Sequence, residues 1–209
     1  MNYLVLTIVV LLIVIISVGY WWRSHSLACP ASVSWLVDNP FMNAMAGPEI
    51  LFQRIQLDKG MKFLDVGSGP GRLTVPAAKQ VGETGEVVAL DIQQKMLSKL
   101  KHRIDQVGFN NVSLVHAGAG EAAIQHDYFD RAILVTVLGE IPNQQEAIDE
   151  IFSALKPGGI LSITELILDP HFTSKKKLRA LCEKAGFTES ALYSHWWTYT
   201  MNFIKNNLD

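Results

Sequence analysis

Between residues 63 and 74 the chain reads Phe-Leu-Asp-Val-Gly-Ser-Gly-Pro-Gly-Arg-Leu-Thr. Asp65 closes a short apolar run, and Gly67, Gly69 and Gly71 follow at alternate positions ahead of an Ala-rich segment with helical pattern. The chemistry of that spacing is binding. Glycine lets the backbone turn through positive φ, and without a Cβ a ligand can lie directly against the peptide. The first amides of the following helix, with its dipole behind them, attract a carboxylate or another anion. Residues 87–91 form a second apolar run ending in an acid, Asp91, whose two oxygens can accept from a pair of neighbouring hydroxyls. The turn reads as a cofactor cradle.

Spacing narrows the choice of cofactor. The dinucleotide fingerprint Gly-x-Gly-x-x-Gly needs a glycine where this chain has Arg72. The pattern present, Asp-x-Gly-x-Gly-x-Gly with Asp91 after the next strand, resembles the class I S-adenosylmethionine-dependent methyltransferases. The resemblance covers about residues 49–203, and Pro76-Ala77-Ala78, Asp91-Ile92-Gln93 and 155–164 look similar to the quinone-biosynthesis and related small-molecule group. It implies S-adenosylmethionine as cofactor, with Asp65, Gly67, Ser68, Gly69 and Gly71 at its methionyl end, Asp91 at the ribose hydroxyls, and Ile92, just past that strand end, as a further cofactor contact. Where that family usually carries Gly-Asp-Ala after the third strand, this chain has Ala117-Gly118-Ala119. The acid expected on the adenine amine is missing, which leaves the backbone of Gly118 and Ala119, and Glu121 from farther along. Thr136 begins the loop that faces the transferred methyl in the family. In that loop Glu140 reads either as a substrate contact and proton acceptor or as a helix-entry acid. His171 reads either as a base near the pocket or as an ordinary loop histidine, and Met96 either as an adenine contact or as core.

The elements that must position these residues follow from the pattern. Apolar runs predict strands at 62–66, 86–90, 112–116, 131–137 and 160–165, separated or followed by helices at 71–81, 94–107, 144–155 and 175–185. Pro48 opens a further helix over 49–55. Continuous apolar strands alternating with helices indicate a mostly parallel, doubly wound α/β sheet covered on both faces, a Rossmann-like fold. Two more runs, 187–195 and 197–204, match the family's closing antiparallel hairpin. Pro157, Gly158 and Gly159 are turn chemistry before the fifth strand. Ligands of such sheets bind beyond the carboxyl ends of the strands, where strand order reverses.

The chain has 209 residues, 49 % of them hydrophobic, and a mean hydropathy of +0.19, and the apolar excess lies at the amino terminus. No charged side chain occurs from Asn2 to Trp22, enough helix to reach across about 30 Å of hydrocarbon. Tyr3 at one edge and Tyr20, Trp21 and Trp22 at the other are placed as interfacial belts. One membrane-spanning helix is expected over 1–23, a linker or lid over 24–47, and the cofactor-binding domain over 48–209. The leading basic region of a cleavable signal is absent, and Leu27-Ala28-Cys29 is off-register for a lipoprotein box. Arg23 retains its side of the span, and with it the domain, in the cytoplasm.

A formal charge of −2, from 18 basic and 20 acidic residues, gives no general attraction to nucleic acid. The basic run Lys175-Lys176-Lys177 with Arg179 reads as a solvated helix face or as a headgroup contact. Cys29 and Cys182 are too few for a disulfide framework or a metal site. The expected function is therefore a single-pass membrane methyltransferase acting on a small lipophilic acceptor, a quinone precursor or a phospholipid amine. A protein acceptor at the membrane and a non-catalytic S-adenosylmethionine-binding module are the alternatives.

Overall fold

The computed structural model describes residues 3–24 and 46–206. Helix α1 (Tyr3–Ser24) stands first; then come α2 (Pro48–Arg54), β1 (Lys62–Val66), α3 (Thr74–Val81), β2 (Glu86–Asp91), α4 (Gln94–Val107) and β3 (Val112–His116). β4 (Phe129–Val135), a 3-10 turn (Leu138–Glu140), α5 (Gln144–Ala154), β5 (Leu155–Leu166), α6 (Lys175–Ala185), β6 (Phe187–Ser194) and β7 (Thr198–Lys205) complete it. The seven strands lie in the order β3-β2-β1-β4-β5-β7-β6. β1 to β5 are parallel and β7 runs antiparallel to β5 and β6, so the doubly wound sheet and its closing hairpin are as expected. The order reverses between β1 and β4, so the cradle lies at the switch point.

Alternate strand residues feed opposite faces, as the pleat requires. Phe63, Val87 and Ile133 pack with Leu51, Phe52, Ala77 and Val81 under α2 and α3. Leu64, Val66, Leu90 and Leu134 pack with Ile148, Ile151, Leu178 and Phe187 under α5 and α6. The hairpin is clipped to α2: Arg54 Nη1 donates to Thr200 Oγ1 at 2.9 Å, and Asn202 Nδ2 donates to the Arg54 carbonyl at 2.9 Å.

Several boundaries differ from the sequence expectation for local reasons. α3 begins at Thr74 because residues 70–73 are used by the glycine turn. β4 ends at Val135, two residues early, because Thr136 takes φ +55°. The turn residues 157–159 fall inside β5, where Phe129 pairs with Leu155 but Arg131 already pairs with Ile160, so the extra residues bulge from the ladder.

The expected membrane span is not carried by the described residues: among them no helix is long and apolar enough to cross a membrane. The described side chains of α1 lie between Tyr3 and Ser17. Those side chains are exposed. The expected linker or lid lies outside the described residues over 25–45, with Trp35, Leu36, Val37, Phe41, Met42 and Met45.

The loops after β4 and β5 meet at one glycine. A Cβ on Gly139 would collide with the carbonyl oxygen of His171, a backbone atom with no freedom to step aside. Gly139→Ala is expected to lower stability by about 1–3 kcal/mol, read from urea unfolding, with more lost if the two loops separate.

Candidate functional site

The carboxyl ends of β1 and β4 flank the switch point, and the first carries the glycine turn. The amides of Gly67 and Ser68 both donate to the Leu90 carbonyl, at 2.8 and 3.1 Å, which pins the turn across the ends of β1 and β2. Gly67, Gly69 and Gly71 have φ of +70°, +55° and +92°. Their surroundings differ. A Cβ on Gly67 would sit 2.5 Å from the Val137 side chain, and one on Gly71 would collide with Leu100, whereas one on Gly69 would meet nothing within 4 Å. Gly67 and Gly71 are therefore also required by packing, and Gly69 is the open face of the cradle. Beside it the Ser68 hydroxyl is buried and has no hydrogen-bond partner.

Asp65 lies beneath this turn. It is 3 % exposed, and Thr74 Oγ1 donates to its Oδ2 at 2.6 Å, so the carboxylate holds the first turn of α3. Burial pushes its pKa up to about 6 against the Thr74 hydrogen bond and the Arg72 charge. Asp91 closes β2. Its Oδ2 accepts from the Gly69 amide at 2.8 Å and its Oδ1 from the Gln93 amide at 2.7 Å. Burial raises its pKa, and these backbone bonds oppose the rise. Each carboxylate oxygen accepts about two bonds, which leaves one lone pair on each for a vicinal diol. Ile92 follows with its side chain exposed, and its carbonyl lies 3.0 Å from His116 Nε2.

After β3, Gly118 and Ala119 are half-buried, and the Gly118 amide donates to Glu121 Oε2 at 3.0 Å. An acid thus returns to the third strand end from three residues downstream. The same loop is fastened to α5, with Gly120 and Ile124 both donating to the Glu150 carboxylate. Met96 is buried at 4 % exposure, which gives it a core role.

Thr136, a β-branched residue at φ +55°, holds its turn by donating its amide to the Thr164 carbonyl at 2.8 Å. That strained turn aims Val137 onto Gly67 and begins the 3-10 turn carrying half-buried Glu140. His171 is buried, its Nδ1 lies 3.8 Å from Asp169 Oδ1, and its amide donates to the same oxygen at 2.7 Å. Its backbone makes the Gly139 contact, so it braces the loop.

The group passed over in the sequence is Glu165, at the end of β5 and 1 % exposed. Its Oε2 accepts from the Thr173 amide at 3.2 Å, and its Oε1 is buried with no partner. Burial pushes its pKa up to about 8, the Thr173 bond opposes this, and the charges of Asp169 and Glu140 add to the rise. The signal was available: β1, β2 and this strand each run apolar residues into an acid at the ligand edge. Among the described residues no group of three or more His, Cys, Asp or Glu could hold a metal ion.

Residues 57–207 match the family model described as a methyltransferase domain. The chain is 36 % identical over 116 residues to a ubiquinone/menaquinone biosynthesis C-methyltransferase, UbiE, of Proteus mirabilis, covering 54 % of this chain and 46 % of that protein. It is 31 % identical over 164 residues to a demethylmenaquinone methyltransferase of Anoxybacillus flavithermus, covering 78 % and 63 %. The chain thus spans about half the length of the curated relatives it matches. A crystal structure of a SAM-dependent methyltransferase from Aquifex aeolicus superposes with a TM-score of 0.78 at 21 % identity, over 85 % of this chain and all of that one, a likeness of fold.

A carboxyl held protonated by burial makes stability fall as pH rises, because the folded state binds the proton more tightly than the unfolded chain does. For Glu165 the window runs from the ordinary value of 4.5 to about 8. Urea unfolding of Glu165→Gln is expected to show less loss of stability across that window than the parent, by up to about 1.4 kcal/mol per pH unit. Parallel profiles would mean that the carboxyl is ionised when folded.

Proposed function

The chain belongs to the methyltransferase-domain family, and from that premise we propose that it transfers a methyl group from S-adenosylmethionine to a small lipophilic acceptor, in the first place a quinone precursor. The observation that carries the reading is the pairing of an open Gly69 with an Asp91 whose oxygens each retain a lone pair, at the point where strand order reverses. The residues fit the cofactor. Asp91 suits the two ribose hydroxyls, Gly67 to Gly71 with the orphaned Ser68 hydroxyl suit the methionyl end, and exposed Ile92 suits the flat base. Gly118, Ala119 and Glu121 take the place of the missing third-strand acid. Thr136 fixes the backbone where the methyl would be presented.

When bound, S-adenosylmethionine supplies an electrophilic methyl on a sulfonium. The protein's part is to hold the acceptor in line and to exclude water. For an acceptor bearing a ring hydroxyl, the proton passes from that oxygen to the Glu140 carboxylate and its electron pair stays on the acceptor. Glu165, kept protonated to about pH 8, spares that corner a further negative charge.

The quinone assignment is supported by the names of the matched relatives, which say what those proteins act on. A phospholipid amine is the other small acceptor consistent with the same site. Placement at a membrane, single-pass with the catalytic domain facing the cytoplasm, belongs to the same proposal. It is supported by the uncharged segment 2–22 and by the exposed Val5, Leu6, Ile8, Val9, Val10, Leu11, Ile13 and Val14 of α1. A tether of that kind raises the encounter rate with a bilayer-resident acceptor.

Incubating the full-length protein with methyl-labelled S-adenosylmethionine and a membrane lipid extract is expected to place label in a quinone fraction. Label in polypeptide would replace the acceptor class, and cofactor binding without transfer would reduce the protein to a binding module. Asp91→Ala is expected to weaken S-adenosylmethionine binding by about 1–3 kcal/mol in calorimetric titration. Because Asp91 also holds the Gly69 and Gln93 amides, a thermal melt on the same sample separates lost contacts from a loosened turn. Unchanged affinity would move the sugar elsewhere.

A further inference from the structure

The ligand edge of the sheet has an apolar rim that the cradle does not use. β7 runs antiparallel to β5, so the turn joining β6 to β7 returns to the carboxyl end of β5. The Ile167 amide donates to the Trp197 carbonyl at 2.8 Å and locks the loop after β5 to that turn. On this seam Leu168 is 68 % and Trp196 69 % exposed, with Ile167 at 48 %. The Trp196 ring is held against Trp197, centroids 3.8 Å apart and 32° between planes, so the exposed indole is fixed in place. The first turn of α6 joins the same rim: Lys175 Nζ donates to Ser194 Oγ at 2.6 Å, and Lys176 and Lys177 beside it are exposed.

We propose that this rim, Ile167, Leu168 and Trp196 flanked by Lys175 to Lys177, docks on an anionic lipid surface and so turns the mouth of the site toward the bilayer. The chemistry selects that partner. Indole is apolar over most of its ring and carries one N–H donor, so it settles at the headgroup level. Adjacent aliphatic side chains insert below it, and lysines within a Debye length are drawn to negative headgroups. The acidic neighbours are withdrawn: Glu165 is buried and Asp169 is half-buried and hydrogen-bonded to the His171 amide, so the outward charge of the rim is positive. The proposal does not depend on which acceptor is methylated.

Hydrogen exchange of the full chain tests it, because the readout is local and separates this rim from α1. Vesicles of phosphatidylcholine with phosphatidylglycerol are expected to slow exchange in peptides covering 166–170 and 194–198 by about tenfold or more, and pure phosphatidylcholine vesicles to slow it far less. Trp196→Ser with Lys176→Glu changes exposed side chains only, and is expected to abolish that difference while leaving the vesicle response of α1 as it was. Equal slowing on both vesicle types, slowing that persists in the double variant, or none at the rim would each overturn the proposal. An enzyme that methylates with an unprotected rim loses only this inference, and a docked protein that transfers no methyl loses only the functional reading.

Discussion

The site depends on one shared carbonyl. Leu90 O accepts from both Gly67 and Ser68, so the turn after β1 is built onto the end of β2 and cannot form without it. Asp91, the next residue, completes the clasp by taking the Gly69 amide. The carboxylate proposed for the sugar and the backbone proposed for the amino-acid tail are therefore one rigid unit. Its third side is Val137, which fills the space that a side chain on Gly67 would need and couples β4 to the same turn. Preorganisation of this kind removes ordering cost from the binding step.

Burial then sorts the acids at the ligand edge by task. Asp65, Asp91 and Glu165 all end strands and all have raised pKa values, with desolvation as the leading cause in each. Asp65 has a hydroxyl donor and works beneath the floor of the turn. Asp91 has two amide donors and keeps accepting capacity toward the cradle. Glu165 has one long bond and one orphaned oxygen, so little offsets the rise that its burial causes. Carboxylates at the ends of three strands are thus set apart by the donors that reach them.

The outer part of the edge has a different character. Exposed aliphatic residues of α1 and the Trp196 rim both leave apolar area in solvent, which a soluble domain seldom does in contiguous patches. The rim is held by backbone: Ile167 to Trp197, and the His195 amide to the Thr198 carbonyl at 2.8 Å. A fixed indole beside lysines suits the docking proposed for this rim, because the surface needs no ordering before it meets lipid.

Fold class, strand sequence and the cradle were legible in the chain because they rest on local signals. Apolar runs of strand length, glycines that alone tolerate the turn, and acids at strand ends leave their mark within a few residues. Boundaries failed where distant groups set them: β4 stops at Thr136 because a strained turn is held by Thr164 O, and α3 starts late because the glycine turn is fastened to Leu90. In the sequence Glu165 is only the end of a strand, because its Thr173 donor comes from a loop eight residues on. The sequence leaves His171 as a base or a loop histidine, and the structure adds that its carbonyl packs on Gly139. By itself the sequence determined which elements exist and which residues could turn or accept a hydrogen bond, because those properties belong to short stretches of chain. Tertiary structure decided which carboxylates have their pKa raised by burial, which glycines are open and which tryptophan faces solvent, because desolvation and packing are properties of what the rest of the chain brings near.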